Sequence, residues 1–169
     1  MYQIVSVGTR QTDIARTDDS PVVIRRRAGK GDLTGIMALE QEAFGPRSFP
    51  REMVERLISD PEVQTLVIED AVIIAYSMVR LSPEYETAEV LSLAVARSHR
   101  HRGLGRKLIV SMEDLAAKNG FMTLMLCVRL DNAEAANLYL SQGYGVLARL
   151  RGYYEDGADA NMMVKHMEG

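Results

Sequence analysis

The run Arg100-His101-Arg102-Gly103-Leu104-Gly105 stands between an apolar stretch and an amphipathic one. Glycines let a backbone approach a ligand with no Cβ in the way. A helix start offers unpaired N–H groups and the positive end of a dipole. Together these features suit a pyrophosphate, and His99, Arg106 and Lys107 add cationic or potentially cationic groups nearby. The run is not Gly-x-Gly-x-x-Gly, and no P-loop Lys-Ser/Thr follows it, which disfavours a nicotinamide or nucleoside-triphosphate site. Without a ligand, the same residues read as a glycine-rich strand-to-helix turn with a solvated basic edge.

Other candidates are scattered along the chain. Tyr139 lies on a predicted helix, where the plain reading is packing under a sheet. Period-two alternation puts Glu89, Leu91 and Leu93 on one strand face. A carboxylate on that mostly apolar face would have a raised pKa and could accept a proton, whereas at a wet strand end it would not. Cys127 reads as a strand filler. Tyr153 and Tyr154 precede an Asp156-Gly157 turn signal.

The elements that must position these groups are legible as patterns. Residues 22–28 predict a strand, and Asp32 is placed to cap a helix carrying Leu33, Ile36, Met37 and Phe44. Gly45, Pro46 and Pro50 break the chain before a second helix over about 51–59. Residues 63–69 and 72–80 predict a hairpin, and 88–96 a buried strand. A helix from about 103 to 119 has Leu104, Leu108, Met112 and Leu115 as its stripe, with Gly120 as its stop. Then come a strand at 121–129, a helix at 132–142, and closing strands at 146–154 and 160–167. The order β-α-α-β-β-β-α-β-α-β-β predicts a single α/β domain over 22–169 with a mixed sheet. Residues 1–21 read as a poorly ordered lead-in or an extra edge element.

The 169 residues suffice for one core, with 47% hydrophobic and 25% charged residues. A net charge of -3 without large like-charge blocks gives no reason to expect nucleic-acid binding. Arg25-Arg26-Arg27 reads as a solvated strand end. The lone cysteine can form no internal disulfide or cysteine metal cluster, which fits a reducing compartment. No secretory signal or bilayer-length apolar run is visible, so the expectation is a cytoplasmic protein without membrane or metal. Monomer and homodimer both stay open.

Leu93-Ala94-Val95 followed by Arg100 to Gly105 resembles the acetyl-CoA signature of the GNAT N-acetyltransferases. Val128-Arg129-Leu130-Asp131-Asn132, then Ala135, Leu138-Tyr139 and Gly143-Tyr144, is similar to that family's later motif. The run from Tyr153 to Ala160 resembles a narrower group, the protein N-terminal acetyltransferases, including RimI-type enzymes that act on a ribosomal protein. The resemblance implies two parallel strands, 88–96 and 121–129, splayed to admit acyl-CoA. It implies cofactor contacts from Leu93, Ala94, Val95, Arg100, His101, Arg102, Gly103, Leu104, Gly105, Arg106, Asn132 and Tyr139. It makes Tyr139 the general acid beside the CoA sulfur. RimI-type enzymes tend to carry a glutamate where this chain has Cys127, so Glu89, matching a histone-acetyltransferase pattern, is the candidate base. Phe44 and Phe49 in the loop after the first helix, with Tyr153 and Tyr154 across from them, are expected to hold the acceptor. That acceptor is a protein or peptide N-terminus, with a small amine (polyamine, amino acid or antibiotic) as the alternative. The replacement of the glutamate by Cys127 also leaves open a non-catalytic CoA-binding regulatory module, against which Tyr139 argues.

Overall fold

The computed structural model describes residues 3–4 and 24–168. The remainder of the predicted lead-in, and Val22 and Val23 of the predicted first strand, lie outside the described residues. Among those described, the elements are β1 (Gln3–Ile4), β2 (Ile24–Arg27), α1 (Leu33–Phe44), α2 (Arg51–Ser59), β3 (Val63–Asp70), β4 (Val72–Ser82), β5 (Thr87–Val95), α3 (Leu104–Lys118), β6 (Thr123–Arg129), α4 (Ala133–Ser141), β7 (Gly145–Leu150) and β8 (Ala160–His166). From β2 onward the predicted order holds.

Seven strands run β2-β3-β4-β5-β6-β8-β7 across one mixed sheet flanked by helices. β5 and β6 are parallel and joined through α3, while the other neighbours on this path are antiparallel. The core gathers Ile36 and Leu39 of α1, Val54 and Leu57 of α2, Leu108, Ile109 and Met112 of α3, and the apolar strand residues. Each fully buried Leu, Ile or Met contributes about 1.5–3 kcal/mol, so the sheet is held rigid beneath whatever it positions.

Two departures from regularity shape the middle of the sheet. First, β5 and β6 pair only at Ala88↔Leu124 and Glu89↔Met125, and part beyond Glu89. Second, Met78 opposes Ser92 while its neighbour Val79 opposes Val90, so Leu91 is an extra residue in β5. Such a bulge breaks strict alternation. The predicted shared face of Glu89, Leu91 and Leu93 is therefore corrected. Register puts Glu89 opposite Arg80, on the β4 face that also carries Met78 and Tyr76, whereas Leu93 opposes Ser77 on the other face.

β1 lies where β5 and β6 part. Gln3 pairs with Ser92 and Ile4 with Leu93, in parallel, and β1 packs against β6 as well. This is an interior position in the sheet, not an edge.

Local predictions were corrected at three points. Asp32 makes no side-chain cap on α1. Its carboxylate instead takes two 2.7 Å bonds from Arg26 and one of 2.7 Å from the Gly29 N–H. Arg26 also reaches Glu69 at 2.8 Å, so the central arginine of the triplet joins β2 to β3 rather than ending in solvent. The first closing strand stops at Leu150, not 154. Gly152, at φ 57°, turns the chain out of the sheet, and its N–H donates to Asp159 at 2.9 Å.

Candidate active site

The basic run forms a tight entry to α3. Residues 97–99 make a 3-10 turn, and the Arg100 side chain folds back to donate to the Val95 carbonyl at 3.3 Å. His101 and Gly103 take left-handed backbone, at φ 61° and 75°. Gly103 is the residue preceding α3, and a Cβ built on it meets nothing within 4 Å. The loop is thus open on the side where a ligand would approach. His101, Arg102 and Arg106 are exposed there, while Leu104 and Gly105 are buried in the first turn of the helix. The N–H groups of that turn have no carbonyl one turn earlier to bond.

Leu93, Ala94 and Val95 run along the parted segment of β5 and are buried. Asn132 heads α4, accepting from the Ala135 N–H at 3.1 Å. That cap is worth about 1 kcal/mol.

Tyr139 is fully buried, and its hydroxyl has no hydrogen-bond partner. Burial pushes its pKa far up, which keeps the phenol protonated. Its ring meets Tyr144 edge-on at 5.3 Å. An unmatched buried hydroxyl costs about 1–3 kcal/mol, so the group stands ready for a partner outside the chain.

At the mouth of the parted strands, Glu89, Cys127, Tyr153 and Tyr154 come together. Burial raises the Cys127 thiol, a Tyr153 hydrogen bond lowers it, and the negative charge of Glu89 raises it again, so all three groups are neighbours. Tyr154 is buried and donates to the Cys127 carbonyl at 3.4 Å. The two tyrosine rings meet edge-on at 5.1 Å. Neither lies in a strand; both belong to the loop from 151 to 159, where alternation does not apply.

Arg129 organises this end. It sits 4.8 Å over the Tyr154 ring and bonds Asp131 at 3.1 Å and Asp156 at 3.0 Å. Its hydrogen bond is the first cause holding both carboxyls below the usual range, and the Arg47 guanidinium adds a weaker pull. Arg47 belongs to the turn between α1 and α2. The turn between α1 and α2 is therefore within electrostatic reach of Asp131 and Asp156.

Phe44 and Phe49 of that same segment are buried in the core, at 8% and 5% exposure. They shape the loop from beneath and present little ring surface to an acceptor.

One group escaped the sequence reading altogether. Glu40 in α1 is fully buried. It accepts from the Phe49 N–H at 3.0 Å and from the Tyr76 hydroxyl, which lies 2.7 Å from the Ser92 hydroxyl. Burial pushes its carboxyl up to about 7, against those two hydrogen bonds. Its only sequence signal is a charge four residues after Ile36, on the stripe that should be apolar.

Residues 33–144 match the model of the acetyltransferase (GNAT) family. The chain belongs to the GNAT acetyltransferases. It is accordingly an acyltransferase, as the loop and parted strands imply. This GNAT protein is 28% identical over 150 residues to an N-alpha-acetyltransferase of Sulfurisphaera tokodaii, covering 82% of this chain and 89% of that one. Its fold matches the crystal structure of the ribosomal-protein-S18-alanine N-acetyltransferase from Escherichia coli, with a TM-score of 0.79 and 24% identity over 88% of this chain and 96% of that one. It also matches Arabidopsis thaliana NAA60 in complex with acetyl-CoA, with a TM-score of 0.78 and 16% identity over 88% and 100% of the two chains.

Proposed function

We propose that this enzyme transfers an acetyl group from acetyl-CoA directly to the α-amino group at a protein or peptide N-terminus. The observation that carries the reading is the parting of β5 from β6 beyond Glu89. Among the described residues no strand pairs with Ala94 or Val95 on the β6 side, where an extended pantetheine would lie. The backbone of residues 102–106 would hold the pyrophosphate, with Arg100, His101, Arg102 and Arg106 around it. The backbone at Leu93, Ala94 and Val95 would hold the pantetheine and polarise the thioester oxygen, and Asn132 would flank it. Acetyl-CoA supplies the activated acyl carbon.

In that frame, Glu89 takes the proton of the attacking amine, directly or through water. The amine nitrogen bonds the acyl carbon as the carbon–sulfur bond breaks. Tyr139 gives its proton to the departing sulfur, a role suited to a buried phenol with no internal partner. Cys127 stays a neutral thiol because burial and Glu89 raise it. No helix among the described residues is long and apolar enough to cross a membrane, and the single buried thiol suits the reducing cytoplasm.

The acceptor assignment draws on the relatives' N-terminal chemistry and on the state of the local carboxylates. A polyamine site gathers uncommitted carboxylates. Here Asp131 and Asp156 are engaged by Arg129, and Asp159 by Arg149 at 2.7 Å. Tyr153 and Tyr154 offer rigid apolar walls with hydrogen-bonding tips, which suit a peptide backbone. The test is a thiol-release competition among a short peptide with a free N-terminus, its N-blocked lysine-containing copy, and spermidine. The free peptide is expected to react fastest. Faster acetylation of the blocked peptide or of spermidine overturns the acceptor and leaves acyl transfer standing.

A further inference from the structure

Glu40 is a buried carboxylate that the proposed chemistry does not use, and its partners lie on three separate elements. One oxygen accepts from the Phe49 N–H, in the loop between α1 and α2. The other accepts from the Tyr76 hydroxyl on β4, which in turn meets Ser92 on β5. Ser92 is the first residue after the bulge at Leu91 and directly precedes Leu93. The chain Phe49–Glu40–Tyr76–Ser92 therefore links the acceptor-side loop to the donor strand where that strand leaves β6.

Such a link is expensive to keep. A buried carboxylate is tolerated only where hydrogen bonds compensate it, and an apolar residue on the α1 stripe would pack at lower cost. A tether that sets the loop 45–50 against β5 gives this polar cluster a reason to exist.

We infer that Glu40 is a positioning residue for the acceptor, holding the loop 45–50 in register with β5 through Tyr76 and Ser92. The inference rests on the acyl-transfer reading above. Its mode is hydrogen-bond geometry, not charge. In Glu40→Gln the amide oxygen still accepts from Phe49, and the amide NH₂ donates to Tyr76, whose own O–H turns to Ser92. In Glu40→Ala both arms are lost.

The experiment compares Glu40→Ala and Glu40→Gln with the parent, using acetyl-CoA and a short free-N-terminus peptide. In Glu40→Ala the peptide KM rises about tenfold, as expected for a lost buried hydrogen bond. Turnover and calorimetric acetyl-CoA affinity stay nearly unchanged. Amide exchange at Phe49 accelerates while amides of α3 keep their protection. Glu40→Gln restores the parent KM. Tyr76→Phe, which keeps the loop arm and cuts the strand arm, raises the peptide KM in the same direction and serves if the alanine variant does not fold. An unchanged peptide KM in both Glu40→Ala and Tyr76→Phe overturns the proposal. So does a parallel loss of acetyl-CoA affinity with exchange accelerated throughout, which marks general destabilisation. If the parent acetylates only another amine, the acceptor reading fails, and the same KM comparison with that amine still decides the role of Glu40.

Discussion

At Tyr139 the stability and the chemistry of one hydroxyl oppose each other. Its oxygen is buried without a partner, so Tyr139→Phe removes an unmet hydrogen bond while filling nearly the same volume. Denaturant unfolding should show the variant equally stable or up to about 1 kcal/mol more stable. Turnover should fall by about 100- to 10,000-fold, with acetyl-CoA affinity unchanged by calorimetry. A variant that keeps full turnover makes the phenol packing alone. Glu40 gives a second signature, in pH. Its carboxyl, ordinarily near 4.5, is raised to about 7, chiefly by burial. The folded state thus holds this proton more tightly than the unfolded state. The associated stability is complete below about pH 4.5 and is lost as pH rises toward 7. Glu40→Gln cannot titrate. Between pH 5 and pH 8 its stability relative to the parent should therefore rise by roughly 2 kcal/mol. Urea unfolding at the two pH values checks this, and a pH-independent difference refutes it.

At the scale of elements, Gly103 is where conformation and ligand access meet. It takes φ 75° with open space beside it, so a side chain there strains the backbone by about 1–2 kcal/mol and fills the approach to the α3 start. Gly103→Val should remain folded and lose at least about tenfold in CoA affinity, equivalent to some 1.4 kcal/mol. Unchanged calorimetric affinity in the folded variant removes the pyrophosphate from this turn. Glycine at such a position is what made α3 readable: Gly103 before it and Gly120 after it mark the ends in the sequence. The strands were readable from apolar runs, and the parallel β5–β6 pair from the family motif. The bulge at Leu91 was not, because an extra residue leaves no trace in an all-buried strand such as Leu91-Ser92-Leu93-Ala94. That blind spot misplaced Glu89 relative to Leu93. Asp32 misled for a different reason: a good capping residue found a stronger partner in Arg26, six residues earlier on β2. Glu40 was invisible because its partners Phe49, Tyr76 and Ser92 come from three elements that only the fold assembles. The aromatic pair at 153–154 was found by type and misassigned to a strand, since Gly152 ends β7 earlier than the apolar pattern suggests.

Over the whole molecule, the sheet carries its opening in the middle, between β4-β5 and β6-β8, where both sides are anchored by antiparallel partners. The two halves are joined across that gap by the short Ala88–Glu89 pairing and by α3. The strand β1 lies in this gap, with Gln3 against Ser92 and Ile4 against Leu93. Leu93 is one of the three backbone positions that the proposed pantetheine contact would use, so the segment and the donor are rivals at that residue. Their rivalry has an arithmetic. If the gap is free in about a tenth of the molecules, the apparent dissociation constant of the donor is about tenfold above its intrinsic value. Removing residues 1–20 should then tighten acetyl-CoA binding by that factor in calorimetry, and an equal constant for both chains would mean that β1 takes nothing from the donor. Ile4→Pro, which deletes one backbone donor from β1, should shift the constant the same way by less. Saturating donor concentration would hide the difference and scarce donor would expose it, so the first residues of the chain would act as a threshold on the acetyl-CoA level at which the enzyme begins to work.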